Sequence, residues 1–210
     1  MIEQIALVGY SGHAYVVAEA IELSGHKLIG YFEREQSSLN HFRLPYLGFE
    51  GNYENLAIVI ANSGKFFVGI GDNRVRRRVL NDLRAAGLQT TLIAHPRSEI
   101  SPRAILGEGT FVAVGAKINT LATIGEGVIL NTGCIVDHEC SVGNFVHVAP
   151  GAVLAGNVEV GNEAFIGAGA VVKQGITIGS NAIIGAGAVV LRDVPNNQIW
   201  FGNPARPYIK

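Results

Sequence analysis

The residues best suited to acid–base chemistry in this sequence are His138 and its acidic neighbours Asp137 and Glu139. A histidine with a carboxylate partner can act as a general base near neutral pH, because the acid fixes the tautomer of the ring and raises its basicity. Adjacent side chains of a straight strand point to opposite faces, so Glu139 can orient His138 only where the chain turns a corner. The plainer interpretation is that His138 and His147 are surface histidines on a scaffold.

The element that must position these residues is a six-residue repeat beginning at Ile100. Every sixth residue from Ile100 to Val190 is Ile, Leu or Val, at sixteen positions without exception, and the residue four places after each is small or β-branched. A parallel β-helix explains both columns, because each repeat makes one side of a triangular coil with the aliphatic residue inside and the small residue at the corner. Three repeats make one turn, and successive turns stack about 4.8 Å apart.

The repeat places His138 and His147 on different sides of the prism. Nine residues, half of an eighteen-residue turn, separate them, and both lie outside the two interior columns. The two histidines can therefore share a site only across a subunit boundary. Asn119 and Asn131 are candidates for stacked corner asparagines, and Asn131, on the coil next to His138, is also a candidate contact to the acceptor.

The two cysteines, Cys134 and Cys140, both occupy the small inward position of the repeat. Their spacing is not that of a CxxC motif, and two cysteines alone cannot form a zinc tetrad. We therefore predict that they are core residues and not nucleophiles.

Residues 1–95 lack the repeat, and their pattern predicts a Rossmann-like α/β domain. The predicted strands and helices alternate, in the order strand Ile5–Val8, helix Ala14–Leu23, strand Lys27–Phe32, strand Phe66–Ile70 and helix Val75–Leu83. This alternation is typical of a small parallel sheet with crossover helices. We expect two domains, residues 1–95 and 96–210.

The first strand-to-helix turn, GYSGH at residues 9–13, is the expected ligand site of such a sheet, because N–H groups at a helix start point toward an anion. Because the turn lacks the third glycine of GxGxxG, the sequence gives little support to dinucleotide binding. It favours a nucleotide phosphate or sugar, with Glu33 at the end of the second strand near a ribose hydroxyl or base edge. The alternative is a tight turn that simply needs small residues. The second helix of this domain carries four arginines that are predicted to form a solvated face, and one of them could reach a phosphate. They are Arg74, Arg76, Arg77 and Arg78.

Composition excludes several classes of partner. The 210 residues include 16 Lys and Arg against 17 Asp and Glu, so there is no electrostatic reason to expect nucleic acid or an anionic membrane surface. No apolar run approaches the roughly 20 residues of a membrane span. We expect a cytoplasmic protein with no membrane insertion.

Four stretches, together with the repeat, resemble the sugar O-acyltransferase family related to sialic-acid O-acetyltransferases, most closely the bacterial UDP-4-amino-sugar N-acetyltransferases of the bacillosamine type. They are GYSGH at 9–13, GDN at 71–73, HEC at 138–140 with His147 following, and GNPAR at 202–206. The resemblance implies a left-handed parallel β-helix and a homotrimer with active sites between subunits. It also implies acetyl-CoA in the groove between adjacent prisms and a nucleotide-sugar held by the N-terminal domain.

The resemblance further implies roles for individual residues. His138 would be the base, Glu139 would raise its basicity, and His147 would lie near the acetyl-CoA thioester. Backbone around Ala168 and Ala186 would contact the pantetheine arm. The diphosphate or uridine pocket would be formed by Ser11, Gly12, His13, Asp72 and Asn73. Many relatives carry consecutive aspartates after the second strand, where this chain has Glu33 followed by Arg34.

The expected function is transfer of an acetyl group from acetyl-CoA to the amino group of a UDP-linked 4-amino-sugar, for bacterial surface glycan or glycoprotein biosynthesis. Direct attack is favoured, since the sequence offers no exposed cysteine or GxSxG serine for an acyl-enzyme. The alternatives are a sugar or sialic-acid O-acetyltransferase acting on a hydroxyl and a non-catalytic β-helix adaptor. A zinc hydratase on the same fold needs three histidine ligands, whereas residues 100–210 contain only His138 and His147, so no metal is expected.

Overall fold

The structure, a computed structural model, describes residues 2–51, 59 and 65–208. The chain divides into two compact units, Met1–Pro96 and Arg97–Lys210. The first is an α/β unit with parallel strands and the second is a parallel β-helix, as predicted. None of the helices in the described ranges has the length and apolar character needed to cross a membrane.

The described part of the N-terminal unit is built on a parallel sheet with the strand order β2-β1-β3-β4. The strands are β1 Gln4–Val8, β2 Lys27–Phe32, β3 Lys65–Val68 and β4 Gln89–Thr90, and the helices are α1 Gly12–Leu23 and α2 Asn73–Ala85. β1 is central and is buried along residues 5–8, because a strand in the middle of a parallel sheet is covered on both faces. The carboxyl ends of β1 and β3 lead directly into the starts of α1 and α2.

The turn between β1 and α1 depends on Gly9. This residue has a φ of +88°, which favours glycine, and an added Cβ would lie only 2.9 Å from Cγ1 of Ile70. Ser11 follows as the N-cap of α1, but its side chain makes no capping hydrogen bond. The hydroxyl of Ser11 is therefore not used by its own helix.

The interior of the β-helix follows the six-residue repeat. The aliphatic positions from Val112 to Val190 are buried, and so are the small corner positions from Thr110 to Val194, which include both cysteines. The partly exposed members of the two columns are Ile100, Ala104 and Leu106, at the first coil. The prediction that Cys134 and Cys140 are core residues is confirmed.

The three sheets of the β-helix differ in their outward side chains, and we name each face by them. The polar face has the strands Ile105–Leu106, Thr123–Ile124, Ser141–Val142, Glu159–Val160 and Thr177–Ile178. The aliphatic face has the strands Glu99–Ile100, Lys117–Ile118, Ile135–Val136, Val153–Leu154, Val171–Val172 and Val189–Val190. The aromatic face includes Phe111–Val112, Ile129–Leu130, His147–Val148, Phe165–Ile166, Ile183–Ile184 and Ile199–Phe201. The first residue of each strand points outward, so two of the three faces are largely apolar.

Candidate active site

His138 and Glu139 form a hydrogen-bonded pair on an outer corner of the β-helix. The strand Ile135–Val136 ends just before them, and Glu139 turns the chain with a φ of 60°, in the left-handed region. This corner brings Oε2 of Glu139 to 3.0 Å from Nδ1 of His138. The two side chains are 42% and 58% exposed, so the pair is open to a ligand. The corner required by the sequence argument is present.

Asp137, the other acidic neighbour, has a different task. Its Oδ1 accepts hydrogen bonds from the backbone N–H of His138 at 2.7 Å and from Nδ2 of Asn119 at 2.8 Å. Asn119 in turn accepts the backbone N–H of Thr120. Asp137 therefore holds the backbone of the corner, and Glu139 orients the imidazole ring.

The ring of His138 lies against Gly156, one full turn further along the chain. A Cβ added to Gly156 would lie 2.5 Å from Nε2 of His138, closer than non-bonded atoms allow. Nε2 accepts no hydrogen bond and donates none within the described residues, so its lone pair is available when Glu139 holds the proton on Nδ1. Sequence reasoning missed Gly156, although a glycine eighteen residues after a candidate base marks the place stacked on that base.

His147 lies on the aromatic face and is engaged by Asn131. Oδ1 of Asn131 accepts the backbone N–H of Thr132 at 2.8 Å, so the Nδ2 group is the one that faces Nε2 of His147, at 3.1 Å. An amide nitrogen only donates, so Nε2 of His147 is the acceptor and the proton of the neutral ring is on Nδ1. Because Asn131 occupies this lone pair, His147 is less suited than His138 to be the base.

The backbone N–H groups at the corners divide into capped and open ones. Along one edge they are capped by side chains one coil on: Glu126 donates to Asn144 at 3.0 Å, Asn144 to Asn162 at 2.8 Å, and Ser180 to Asn196 at 2.8 Å. This ladder is structural, because each donor already has its acceptor.

The corner N–H groups of Gly156, Ala168 and Ala186 donate to no acceptor within the described chain. Gly156 stands on the edge that carries His138. Ala168 and Ala186 are exposed and stand one coil apart on the edge between the aliphatic and aromatic faces. These open donors are suited to oxygen atoms of a ligand.

The buried thiols contribute nothing to this chemistry. Burial raises the pKa of Cys134 to about 12, and burial also raises the pKa of Cys140, whose Sγ lies 3.2 Å from the carbonyl oxygen of Ala155. A thiol needs its thiolate form to act as a nucleophile. Among the described residues, no group of three or more His, Cys, Asp and Glu side chains is arranged to hold a metal ion.

The N-terminal unit has a cavity of about 380 Å³ at the carboxyl ends of β1 and β3. Ser11, Gly12 and His13, at the start of α1, line it, and so does Glu33. The two carboxylate oxygens of Glu33 accept the backbone N–H groups of Tyr10 and Arg34, each at 3.0 Å. Glu33 therefore fixes the glycine-containing turn as well as facing the cavity.

A second carboxylate, Glu50, also lines this cavity. Burial raises the pKa of Glu50, and the negative charge of Glu33 acts in the same direction. Arg34 and Arg78, which line the cavity as well, act in the opposite direction. The cavity thus combines cationic and acidic groups with the start of α1, a mixture suited to a polar ligand that carries phosphate.

The structure gives Asp72 and Asn73 contacts at the start of α2, and it corrects the expectation that Arg76 belongs to a solvated helix face. Asp72 and Asn73 are not among the described residues that line the cavity. Oδ1 of Asp72 caps α2 by accepting the N–H of Val75 at 2.9 Å, and Oδ1 of Asn73 accepts from Arg76 at 2.8 Å. Arg76 does not belong to a solvated helix face, because only 1% of it is exposed, whereas Arg74 is exposed as expected.

Comparisons with known proteins agree with this fold. Residues 4–83 match the family described as the PglD N-terminal domain, and residues 157–192 match the bacterial transferase hexapeptide family (six repeats). No curated protein matches the chain. The acetyltransferase domain of PglB from Neisseria gonorrhoeae, solved with acetyl coenzyme A, is 34% identical with a TM-score of 0.89 over 99% of this chain and 100% of that one.

Two solved structures from Caulobacter crescentus are similarly close. PerB in complex with CoA and GDP-perosamine is 36% identical, with a TM-score of 0.92 over 100% of this chain and 99% of that one. A histidine-to-asparagine variant of perosamine N-acetyltransferase, with the same two ligands, is 35% identical, with a TM-score of 0.93 over the same shares.

An α/β unit followed by hexapeptide-repeat coils defines a hexapeptide-repeat acyltransferase, and its β-helix is left-handed. With 34–36% identity over nearly the full length of these enzymes, the chain belongs to the family of acetyl-CoA-dependent sugar N-acetyltransferases. The resemblance inferred from the four sequence stretches is confirmed.

Proposed function

We propose that this enzyme transfers an acetyl group from acetyl-CoA to the amino group of a UDP-linked 4-amino-sugar, for surface glycan or glycoprotein biosynthesis. The observation that carries the chemistry is the contact between His138 Nδ1 and Glu139, which leaves Nε2 open on an exposed corner. It is supported by the relatives solved with acetyl-CoA or with CoA and GDP-perosamine, one of them a histidine variant. A non-catalytic adaptor would have no use for this arrangement.

His138 acts as the general base. Its Nε2 accepts a proton from the amino group as the nitrogen forms a bond to the acetyl carbonyl carbon, and Glu139 stabilises the imidazolium that results. The same Nε2 then returns the proton to the departing CoA sulfur as the carbon–sulfur bond breaks. The open N–H of Gly156, beside the ring, donates to the carbonyl oxygen as it becomes negative. Direct attack requires no acyl-enzyme, in agreement with the buried cysteines.

Acetyl-CoA is the donor that fits the β-helix. The amides of Ala168 and Ala186 repeat one coil apart along an edge, a spacing of about 4.8 Å that suits the amide oxygens of a pantetheine arm. His147 is the candidate contact near the thioester. These residues and His138 stand on different edges or faces of one prism, so a single donor that touches both sets lies between two subunits.

A homotrimer supplies that arrangement. The polar face carries Thr123, Ser141 and Glu159, which suit solvent, whereas the aliphatic and aromatic faces carry mostly apolar side chains, of which Phe111 and Ile129 are already buried within the single chain. Val171 and Ile183 are 40% and 42% exposed in the single chain. Burying both apolar faces against neighbouring subunits leaves the polar face in water, and cyclic symmetry closes the assembly.

The nucleotide fits the cavity of the N-terminal unit. The start of α1 supplies donors for the diphosphate, with the hydroxyl of Ser11, the backbone of Gly12 and the ring of His13 beside them. Glu33, which lines the same cavity, is the candidate contact for a ribose hydroxyl or a base edge. A GDP-linked amino sugar is the second candidate, favoured by the GDP-perosamine bound to the two Caulobacter structures.

The deciding experiment presents the enzyme with acetyl-CoA and matched acceptors, and detects products by mass spectrometry. The panel contains a UDP-linked 4-amino-sugar, GDP-perosamine, and the 4-hydroxy counterpart of each. Acetylation of the UDP-amino-sugar alone is expected. A preference for GDP-perosamine would select the GDP-linked sugar as the acceptor. Acetylation of the hydroxy sugars would indicate an O-acetyltransferase. No turnover together with no acetyl-CoA binding would contradict the assignment as an enzyme.

A further inference from the structure

Arg76 is a buried cation in the N-terminal unit that the proposed chemistry does not use. It lies in the first turns of α2, and only 1% of its surface is exposed. A guanidinium is costly to remove from water unless its N–H groups find acceptors. The acceptors of Arg76 therefore indicate what the residue does.

The guanidinium of Arg76 donates hydrogen bonds to the loop that precedes its own helix and to the first residue of that helix. Nη1 donates to the carbonyl oxygens of Ile70 at 3.1 Å and Gly71 at 2.9 Å, and Nη2 donates to Oδ1 of Asn73 at 2.8 Å. The planar fork of an arginine fixes the direction of each acceptor. Arg76 thus sets the orientation of two successive peptide groups between β3 and α2.

The first of these peptide groups joins two residues that line the cavity assigned to the nucleotide, and the second begins at the cavity-lining Gly71. In a trans peptide the N–H points opposite to the C=O, so the N–H groups of Gly71 and Asp72 are turned away from the guanidinium. Ile70 and Gly71 line the cavity, whereas Arg76 does not. Neither N–H group donates to an acceptor within the described chain.

We infer that Arg76 is a positioning residue for nucleotide binding, which turns the amides of Gly71 and Asp72 away from itself and toward the diphosphate. This inference rests on the proposed placement of the nucleotide in the N-terminal cavity. It gives the loop between β3 and α2 a part in binding through its backbone, although the side chains of Asp72 and Asn73 are engaged with their own helix.

The test compares Arg76→Met and Arg76→Lys with wild type and with Arg74→Met, a matched control that removes an exposed arginine of the same helix. UDP, GDP, the two nucleosides and inorganic pyrophosphate are titrated by calorimetry. KM is measured separately for the nucleotide-sugar and for acetyl-CoA. Thermal melting and sedimentation establish that each variant is folded and assembled as wild type is.

We expect the Arg76 variants to lose only the part of the binding affinity that the phosphate groups contribute. In Arg76→Met the two amide N–H groups no longer point toward the charged phosphates. The affinity for nucleoside diphosphates and for pyrophosphate should therefore fall by about 10- to 100-fold. Nucleoside affinity and the KM for acetyl-CoA should stay nearly unchanged. Arg76→Lys should fall between, because an ammonium cannot hold both carbonyls in the planar fork. Millimolar guanidinium should restore part of the affinity to Arg76→Met, and Arg74→Met should match wild type.

Equal weakening of nucleoside and diphosphate, or unchanged diphosphate affinity in a folded variant, overturns the inference and leaves Arg76 as a fold-stabilising residue. If Arg76→Met fails to fold, the Arg76→Lys titrations decide between these outcomes. A wild-type protein that binds neither UDP nor GDP more tightly than the nucleosides contradicts the proposed function itself, which is a separate result.

Discussion

The imidazole of His138 occupies space that only a glycine at position 156 leaves open. Gly156 has no left-handed backbone, so it is not required for conformation, and its role is to lack a side chain where the ring stacks. The ring of His138 is thus oriented from two sides, by the carboxylate of Glu139 on Nδ1 and by the bare backbone of Gly156 one coil away.

Gly156→Ala should therefore impair catalysis without unfolding the β-helix. The methyl group displaces the ring of His138, and a misplacement of about 1 Å can cost up to about 10²-fold in rate. We expect kcat to fall about 10- to 100-fold, with both KM values changed less than about twofold. Gln174→Ala, at the next corner of the same edge, is the control. If kcat stays within a factor of about two of the wild-type value, Gly156 does not determine the position of the His138 ring.

The two histidines should respond differently to substitution. His138→Ala should lower kcat by about 10² to 10⁴-fold, the usual contribution of a positioned base, while acetyl-CoA still binds. Glu139→Gln should lose less, because the Nδ1 contact can persist without the charge. His147→Ala, whose Nε2 lone pair is already occupied by Asn131, should act mainly on the KM for acetyl-CoA. A larger kcat loss for His147→Ala than for His138→Ala would reverse the assignment of the base.

The trimer can be tested with one charge placed on two different faces. Val171→Glu puts a carboxylate on the aliphatic face, where burial against a neighbouring subunit of the proposed trimer would make it costly. Thr177→Glu puts the same charge on the polar face. Sedimentation at micromolar concentration should show a trimer for wild type and Thr177→Glu and a smaller species for Val171→Glu. A monomeric wild type would refute the shared site.

The cysteines provide a test of direct attack. Because burial raises the pKa of both Cys134 and Cys140, the native protein should not react with a thiol reagent such as DTNB at pH 8, and two thiols should appear on unfolding. Incubation with labelled acetyl-CoA alone should leave no label on the protein after denaturation. Rapid native modification that abolishes activity would point to a cysteine in the mechanism.

The sequence predicted most of the β-helix and less of the N-terminal cavity, for physical reasons. A period of six is visible because each coil repeats the same contacts, and the corner at His138 follows from that period. Arg76 was misassigned because its neighbours are exposed and the helical pattern does not reveal acceptors in the preceding loop. Asp72 was placed in the pocket by resemblance, whereas an aspartate before a helix is also a preferred N-cap.

A substitution at the first turn tests the division of labour between the two units. A Cβ at Gly12 would meet no atom within 4 Å, and the residue lines the cavity that we assign to the nucleotide. Gly12→Leu should therefore fold normally while its side chain obstructs the approach of a phosphate to the start of α1. The KM for the nucleotide-sugar should rise about tenfold or more, and the KM for acetyl-CoA should stay nearly unchanged. UDP alone should compete with the sugar substrate in wild type and lose potency in the variant. If the KM for acetyl-CoA rose and the sugar value stayed fixed, the N-terminal turn would hold the donor and the two units would have exchanged roles.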